Sequence, residues 1–546
     1  MNKLFNFFYY ILVFFVILLS IRGVSGNPTK GDINSNFWKE DGPFELSPER
    51  GRFALTFSLV EDKSFSFDIP LASFALPDLG YIDGKYVSLF APGVSLLVIP
   101  GYYLGKLFGL AQLGVFAVVS FFAVLNVALI RAIAQKLGAK KLYSSLASFI
   151  FLFATPAYTY AVSLYQHHIS VFLILSGIFV YLSYKSFFSN MVIWFLIFVS
   201  FFIDYPNFFM MIPLILVLLL RAFELKETKD LIKIKFRYLG FFSVVGAFLP
   251  LLFFGWVNYK TYGSPFRLAG TVENVRQIDS NGMPVREFSQ EASKLEEYRV
   301  SRRQSNSVAL GFFDTRNIPN GLYVHFFSPD RGIIFYTPVI LFSLFGIAFL
   351  YKKNAKAITL LSAIALINVF IYSMWGDPWG GWAFGSRYLI PFYAVASIIV
   401  SFALEKILQR KILLLLFLLI FVYSVFINTL GAITTSANPP KVEVSGVEEV
   451  SGREEKYTFE RNWDYLNSQG SKSFIYQKYL KDLISPLNYF ILVSSIPLLF
   501  CGVLILGKGY FTKLVSFYER PVSNIRSGKI KDVIIDSKKS LIFSKG

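Results

Sequence analysis

The sequence predicts an all-α polytopic membrane protein with about twelve transmembrane helices. Hydrophobic residues fill 54% of the 546 positions and charged residues only 16%, whereas soluble domains carry about 25% charged residues. Apolar runs that approach the ~20 residues of a membrane-spanning helix recur along the whole chain. A soluble fold cannot bury this much apolar surface. The composition therefore excludes a soluble enzyme, a disordered protein and a nucleic-acid-binding protein.

Net charge and cysteine content narrow the class further. The net charge of +18 is typical of a membrane protein, because Lys and Arg gather in its cytoplasmic loops. The charge is therefore an orientation signal rather than evidence of nucleic-acid binding. The single cysteine, Cys501, excludes an internal disulfide framework and a multi-cysteine zinc site.

The first apolar run, residues 4–21, allows two interpretations. Val24-Ser25-Gly26 resembles a signal-peptidase site, so cleavage is possible. The run is longer than the ~7–15 residues of a usual signal core, which favours a retained helix. The predicted spans are residues 4–21, 113–130, 142–155, 169–184, 187–203, 208–220, 238–257, 333–350, 358–374, 389–404, 412–427 and 487–506.

The apolar segment 89–110 is predicted to lie along the outer face without crossing. Pro92, Gly93, Pro100 and Gly101 interrupt it, which is typical of a broken helix. If the segment does not cross, the basic clusters of the later loops all fall on the cytoplasmic side. If it crosses, those clusters move outside, against the positive-inside rule. Parity therefore gives twelve helices with both termini in the cytoplasm.

Three long polar segments, roughly 22–86, 258–331 and 434–485, then fall on the outer face. This distribution indicates chemistry at the outer surface, since a transporter usually keeps its polar groups in the middle of the membrane. The predicted parts of the chain are a transmembrane module 1–257 that includes a first outer loop 22–112, an outer loop 258–332, transmembrane helices 333–430 with an outer loop 375–388, an outer loop 431–486, a last helix 487–507 and a basic cytoplasmic tail 508–546.

The first outer loop contains a helix-start pattern, Ser47-Pro48-Glu49. A hydroxyl residue can cap the helix, Pro suits the first turn, and an acid is favoured near the positive helix end. The helix that follows places Glu49, Arg52 and Phe53 on neighbouring faces. From these residues alone, Glu49 is either a capping carboxylate or a functional acid.

Further motifs follow one another at the outer ends of the predicted helices. Together they resemble the C-type (GT-C) glycosyltransferase superfamily, membrane enzymes that use polyprenyl-phosphate sugars, such as protein O-mannosyltransferases and lipid A aminoarabinose transferases. The resemblance covers most of the chain and implies a GT-C-like fold with juxtamembrane helices in a large first outer loop. The motifs are an acid followed by Arg52-Phe53-Ala54, YIDGKYVSLFAPG (81–93), LYQHH (164–168), FIDYPN (202–207), NYKTYGSPF (258–266), FFSPDRGIIFYTPV (326–339) and WGDPWGGWAFGSRYLIP (375–391).

The resemblance implies that a carboxylate of the first outer loop is the catalytic base. Glu49 matches its position best, because Arg52-Phe53-Ala54 follow it as the corresponding residues follow the family's acid. Asp41 and Glu40 are the reserve candidates. The role is physically reasonable, since an acceptor hydroxyl must lose its proton as it attacks the anomeric carbon.

The leaving polyprenyl phosphate needs cations, and guanidinium groups suit phosphate best. Arg387, Arg331 and Arg52 are the predicted phosphate-binding residues. Arg387 follows a Gly/Trp-rich loop that permits close backbone approach. The alternative for Arg387 and Arg331 is a charged side chain that reaches out of the membrane boundary to water.

Four residues are predicted to contact the substrate: His167, Asp204, Tyr165 and Trp382. Histidine can hydrogen-bond a sugar hydroxyl or phosphate, and aromatic rings can stack on sugars. An acid at the membrane boundary is costly unless it is paired or functional. The alternatives are helix capping for Asp204 and interfacial anchoring for the aromatic residues.

The sequence departs from the family's pattern in two places. No acid lies near His167, so a divalent-metal site built from acids of two outer loops is in doubt. A metal remains possible, and no metal ligand is assigned. In addition, Leu89-Phe90 stands before Ala91-Pro92, where relatives often carry a Lys. The donor phosphate must then rely more on the arginines.

The predicted function is a membrane glycosyltransferase. It would transfer a hexosyl or pentosyl group, with inversion, from a polyprenyl-phosphate donor to a hydroxyl of a protein, lipid or polysaccharide at the extracytoplasmic face of the cell membrane. Membrane lipids are further partners and nucleic acid is not. The alternative is a carrier or flippase for a lipid-linked or small solute. That class predicts ionisable groups in mid-membrane and internal repeats, neither of which is evident.

Overall fold

The computed structural model describes residues 2–228, 231–285, 313–452 and 454–507. The basic tail 508–546 lies outside the described residues, as do positions 286–312 of the second predicted outer segment. Met1–Leu498 form one compact unit, and Leu499–Gly546 form a second, of which residues 499–507 are described.

The chain is a helical, multi-pass membrane protein, as the sequence predicts. Among the described residues, six helices are long and apolar enough to cross a membrane, and five shorter apolar helices accompany them. The exact count of twelve remains a prediction. The six are Ala111–Lys136, Tyr238–Tyr262, Ala355–Met374, Arg387–Ile407, Lys411–Ile433 and Pro486–Leu506, and the five are Leu4–Ser20, Lys141–Phe153, His167–Ser183, Phe187–Ile203 and Ile212–Arg221.

Shorter helices lie between these elements, and most of them build the loops. Ser343–Lys353 instead packs against the helix Arg387–Ile407, and with Ile333–Tyr336 it replaces the single predicted span 333–350. Several carry Pro in the first turn, where its missing N–H is not needed. They are Lys30–Ile33, Ser47–Phe57, Ile69–Ala75, Gly93–Leu97, Ile99–Leu107, Ala157–Ala161, Asn207–Met210, Ile318–Phe326, Ile333–Tyr336, Ser343–Lys353, Lys441–Ser451 and Glu460–Gln469.

The helix ends form two layers. The loop layer contains residues 22–110, 154–166, 204–206, 263–285, 375–386 and 434–485. The basic layer contains the turns at 137–140, 354 and 408–410. Its members contact one another, since Lys140 pairs with Glu405 at 2.5 Å and Lys353 donates to the carbonyl of Gly138 at 3.1 Å. Every predicted site residue belongs to the loop layer or to a helix end beside it.

Both ends of segment 89–110 are hydrogen-bonded to other parts of the loop layer. The hydroxyl of Tyr262 donates to the carbonyl of Ser88 at 3.0 Å, and the N–H of Gly26 donates to the carbonyl of Gly109 at 2.7 Å. Between these ends, the segment forms two short helices. Gly101 meets Gly114 of the next helix so closely that a Cβ on Gly114 would lie 2.0 Å from the carbonyl oxygen of Gly101.

A small antiparallel sheet joins the first outer segment to the second. The strand Leu79–Ile82 pairs with Lys85–Ser88 on one side and Glu273–Val275 on the other. Asp83 and Gly84 connect the first two strands with φ of 49° and 75°, which suits a two-residue hairpin turn. A second hairpin forms where Phe223–Thr228 pairs with Leu231–Phe236.

An aromatic cluster fixes the helix Ser47–Phe57 against the transmembrane helix Ala111–Lys136. Phe44 stacks on Phe53 with ring centroids 4.4 Å apart and on Phe116 at 5.0 Å. All three side chains are buried. Because a well-packed aromatic cluster leaves little room for rearrangement, the first-loop helix is held rigidly above the membrane helices.

Candidate functional site

The helix that carries Glu49 starts where the sequence predicts, but its cap is different. Leu46 occupies the N-cap position and makes no side-chain cap hydrogen bond. Ser47, the predicted cap, instead donates its hydroxyl to Asp78 at 2.6 Å. The carboxylate of Asp78 draws the hydroxyl away from the helix end, so the assignment of Ser47 as the cap was wrong.

The Glu49 carboxylate is fully buried and held by two main-chain donors. Its Oε1 accepts from the N–H of Leu164 at 3.0 Å, and its Oε2 accepts from the N–H of Glu45 at 3.1 Å. Burial raises the pKa of Glu49 to about 7, against the opposing charge of Arg22. A carboxyl group with a pKa near neutrality can take up a proton and give it back, as a general base must.

Beside Glu49 lies a buried ion group formed by Arg22, Glu45 and Lys472. Glu45 pairs with Arg22 and with Lys472, each at 2.7 Å, and also accepts from the N–H and hydroxyl of Ser436. Burial opposes ionisation of Glu45, but the two cations outweigh it and hold its pKa well below the ordinary range. The group ties the end of the first helix to the first and third outer segments.

On the opposite side of Glu49, Arg52 is connected to Asp204 through one amide. Its Nη2 donates to Oε1 of Gln166 at 2.7 Å, and Nε2 of Gln166 donates to Asp204 at 3.2 Å. The guanidinium lies 4.8 Å from the ring centre of Phe90. Burial lowers the pKa of Arg52 to about 10, and the charge of Asp204 opposes the shift. Arg52 therefore remains a cation at neutral pH.

Arg387 follows the Gly/Trp-rich loop and packs tightly against it. Its Nη2 donates to the carbonyl of Gly380, while its Nε and Nη1 are buried with no partner among the described residues. Gly380 has a φ of 74°, and a Cβ there would lie 3.0 Å from Nε of Arg387. A side chain at position 380 would therefore be strained and crowded against the guanidinium.

The ring of Tyr165 contacts both arginines. Its ring centre is 5.7 Å from the Arg52 guanidinium and 5.0 Å from that of Arg387. His167 stacks on the same ring at 5.7 Å. The hydroxyl of Tyr165, Nε2 of His167 and Nε of Arg52 are buried and lack partners within the described ranges. Several unsatisfied polar atoms thus surround one ring, which is unusual unless a ligand completes them.

Arg331 is engaged differently from Arg387. It is fully buried and makes four hydrogen bonds, all to main-chain carbonyls. Two of these carbonyls belong to the Gly/Trp-rich loop, so Arg331 holds that loop in place. The acceptors are Trp379 at 3.0 Å, Asp330 at 2.7 Å, Gly381 at 3.0 Å and Asn438 at 3.0 Å.

The other predicted residues are distributed around this centre. Asp204 faces Gln166 rather than capping the helix Asn207–Met210, and burial raises its pKa to about 6. Trp382 is further out, where its Nε1 donates to Glu443 at 3.0 Å. Asp41 ends a short helical turn, but its side chain lies outside the described part of the structure, as does that of Glu40.

Glu49 and Arg387 lie in the same layer, around two consecutive residues. Glu49 accepts from the N–H of Leu164, and Arg387 lies over the ring of Tyr165. Arg52 is one turn from Glu49 on the same helix and contacts that ring as well. The carboxylate and the two guanidinium groups therefore share one site. Among the described residues, no group of three or more His, Cys, Asp or Glu could hold a metal ion.

Sequence reasoning missed Gln166, Glu45 and Phe90. Gln166 lies inside the LYQHH motif, beside two histidines that are stronger candidates by residue type. Glu45 stands one helical turn before Glu49, a spacing that could have indicated a shared environment. Phe90 was noted only because it stands where relatives often carry a Lys, yet its ring packs against Arg52.

Comparison with known proteins gives one structural likeness. No protein-family model matches the sequence, and no curated protein does. The chain is similar to two crystal structures of ArnT from Cupriavidus metallidurans, one in the apo state and one bound to undecaprenyl phosphate. The TM-scores are 0.42 and 0.41, the identities 11% and 12%, and the coverage 93% of this chain and 78% and 79% of ArnT. ArnT is a GT-C glycosyltransferase, a lipid A aminoarabinose transferase.

We expect Glu45→Gln to destabilise the protein by about 3–5 kcal/mol, because it leaves Arg22 and Lys472 without their counter-charge in a buried place. Thermal and denaturant unfolding of the detergent-purified protein measure this loss. Glu61→Gln is the control, since Glu61 forms a partly exposed pair with Lys106 and should cost no more than about 1 kcal/mol. Equal losses for the two variants would contradict the role given to the ion group.

Proposed function

We propose that this protein is a membrane glycosyltransferase that moves a sugar from a polyprenyl-phosphate donor to an acceptor hydroxyl. The observation that carries the proposal is the pairing, in one site, of a buried carboxylate with a pKa near neutrality and two buried arginines that retain unpartnered donor atoms. Such a pairing provides what the reaction needs: a base for the acceptor and cations for the departing phosphate.

Arg387 and Arg52 form the phosphate-binding part of the site. Arg387 has two unpartnered nitrogen atoms within the described structure, and Arg52 has one. The helix His167–Ser183 begins beside them, and the N-terminus of a helix attracts anions through its free N–H groups. Arg331 uses four of its five N–H donors on main-chain carbonyls, so we assign it to holding the loop that presents Arg387.

Glu49 is the base in this proposal. Its carboxylate takes the proton of the acceptor hydroxyl as the oxygen forms its bond to the anomeric carbon. The bond between that carbon and the phosphate oxygen breaks, and the electron pair leaves with the polyprenyl phosphate. The arginines stabilise the anion, which needs no proton. Attack from the side opposite the phosphate inverts the anomeric centre.

The remaining predicted residues either contact the substrate or hold the residues that do. His167 has an unpartnered Nε2 beside Arg387, where it can bind a sugar hydroxyl or a phosphate oxygen. Asp204 keeps Gln166, and through it Arg52, in position. The ring of Tyr165 packs against both arginines, and Trp382 lies further out, where it donates to Glu443. Asp41 stays a reserve candidate for the base.

We place the site on the extracytoplasmic face. The opposite layer carries the basic turns around Lys140, Lys353 and Lys411, and positive residues concentrate on the cytoplasmic side of membrane proteins. The isoprenoid tail of the donor would then lie among the lipid-facing helices, with its phosphate reaching the arginines laterally.

Glu49→Gln should lower sugar transfer by about 10²–10⁴-fold, the range that a general base contributes. The wild-type rate should rise with pH and level off above a pH of about 7, because only the deprotonated carboxylate accepts a proton and burial raises the pKa of Glu49 to about 7. Initial rates with a labelled polyprenyl-phosphate sugar, measured in membranes from pH 5 to 9, provide the test.

A Glu49→Gln protein with undiminished transfer would remove Glu49 from the mechanism. Movement of the labelled lipid across proteoliposomes with no covalent product would instead favour a carrier or flippase. Thermal unfolding of the variant separates a chemical effect from misfolding.

Arg387→Lys should weaken inhibition by free polyprenyl phosphate by at least about tenfold, since an ammonium group cannot replace a two-pronged guanidinium contact. The matched control is Arg316→Lys, because Arg316 is an exposed residue of the second outer segment. Identical inhibition constants for wild type and Arg387→Lys would place the phosphate elsewhere.

Single-cysteine labelling tests the face of the site. In a Cys501→Ser background, Lys85→Cys should react with a membrane-impermeant maleimide in intact cells, whereas Lys411→Cys should react only after the membrane is opened. Both positions are exposed, one in each layer. The reverse pattern of labelling would put the site in the cytoplasm.

A further inference from the structure

A cavity of about 420 Å³ opens in the loop layer next to the buried ion group. Its size is in the range of small-molecule sites, about 300–1,000 Å³. It lies between the first helix exit, the first outer segment and the third outer segment. Its lining includes Arg22, Phe37, Tyr465, Lys472, Gln477 and Lys478.

The cavity is cationic. Three of its lining residues are basic, namely Arg22, Lys472 and Lys478, and none of the lining residues is acidic. Glu45 neutralises only part of this charge, because Arg22 and Lys472 share its one carboxylate. Nε of Arg22 is buried and has no partner in the described ranges. The walls therefore carry an excess of positive charge, which suits an anionic group.

The cavity also has aromatic walls and a polar amide. Phe37 is 51% exposed, although it is a large apolar side chain. Tyr465 is half-buried, and Gln477 contributes an amide. Exposed aromatic rings beside hydrogen-bonding groups suit the apolar face and the hydroxyls of a sugar ring.

Glu49 lies between this cavity and the arginine site. Arg22 and Lys472 of the cavity wall pair with Glu45, and the N–H of Glu45 donates to Oε2 of Glu49 at 3.1 Å. The other oxygen, Oε1, faces Leu164, beside Tyr165 and the arginines. Glu49 itself is fully buried and is not among the residues that line the cavity, so it connects to the cavity wall through Glu45.

We propose that the cavity is the acceptor subsite and binds an anionic saccharide, with its acidic group near Lys478 and a sugar ring against Phe37. This inference rests on the proposed function only where it calls the cavity an acceptor subsite. The binding of an anionic saccharide to the cavity does not depend on that function. The inference narrows the acceptor from any hydroxyl compound to an acidic glycan.

Binding to the purified full-length protein tests the proposal. The probes are a hyaluronan tetrasaccharide and a heparin tetrasaccharide, which carry carboxylate and sulfate groups, and chitotetraose as the neutral comparison. Calorimetric titration should give saturable binding of at least one anionic probe that is at least about tenfold tighter than that of chitotetraose, since a tenfold ratio corresponds to about 1.4 kcal/mol.

Three variants locate the binding. Lys478→Gln should weaken the anionic probe about five- to tenfold and leave chitotetraose unchanged, and Phe37→Ala should weaken both. Lys481→Gln is the matched control, because Lys481 is exposed and three residues away but does not line the cavity. Equal effects of the two lysine variants would indicate a general charge effect and overturn the proposal, as would the absence of saturable binding by both anionic probes.

A second assay separates this inference from the proposed function. Without an acceptor, the wild-type protein should slowly transfer the donor sugar to water and release polyprenyl phosphate. Binding of the anionic probe without any donor consumption would contradict the glycosyltransferase and leave the saccharide site standing. Donor consumption without probe binding would support the glycosyltransferase and contradict the saccharide site.

Discussion

The buried contact of Glu45 with Arg22 and Lys472 is the constraint on which the site depends. It joins residues far apart in the sequence, at the end of the first helix, in the first outer segment and in the third. A buried carboxylate with two cations is stable only when all partners stay in place. The same residue that is fixed by these charges donates its N–H to Glu49. The position of the proposed base is therefore set by an ion group that takes no part in the chemistry.

Two neighbouring carboxylates show how environment decides ionisation. Glu45 and Glu49 lie one helical turn apart, and burial opposes the charged form of both. Glu45 has two cations in direct contact, so its pKa falls below the ordinary range, whereas Glu49 has only main-chain donors and its pKa rises to about 7. The pair thus divides into a permanent anion that stabilises the fold and a carboxyl group that exchanges protons near neutral pH.

The arginines are likewise divided between structure and binding. Arg331 gives its donors to four carbonyls and fixes the Gly/Trp-rich loop, whereas Arg387 leaves two nitrogen atoms unpartnered in the described structure. The ring of Tyr165 lies within 5.7 Å of both guanidinium groups, so the like charges of Arg387 and Arg52 are held near one ring. An anion placed between them would relieve their repulsion, and Asp204 offers partial compensation from one side.

The sequence by itself determined the membrane class and the location of candidate residues at helix ends, because apolar length and charge position are local properties. It also indicated Glu49, Arg52, Tyr165 and Arg387. That segment 89–110 does not cross the membrane stays a prediction. Only the tertiary structure decided that Arg331 bonds to four carbonyls whereas Arg387 keeps two nitrogen atoms without partners in the described ranges, that Ser47 turns to Asp78 instead of capping, and that Asp204 accepts from Gln166. These depend on partners far away along the chain, such as Asn438 for Arg331 and Lys472 for Glu45. A burial-dependent pKa and a cavity cannot be read from a linear pattern, since both arise only when distant segments exclude water together.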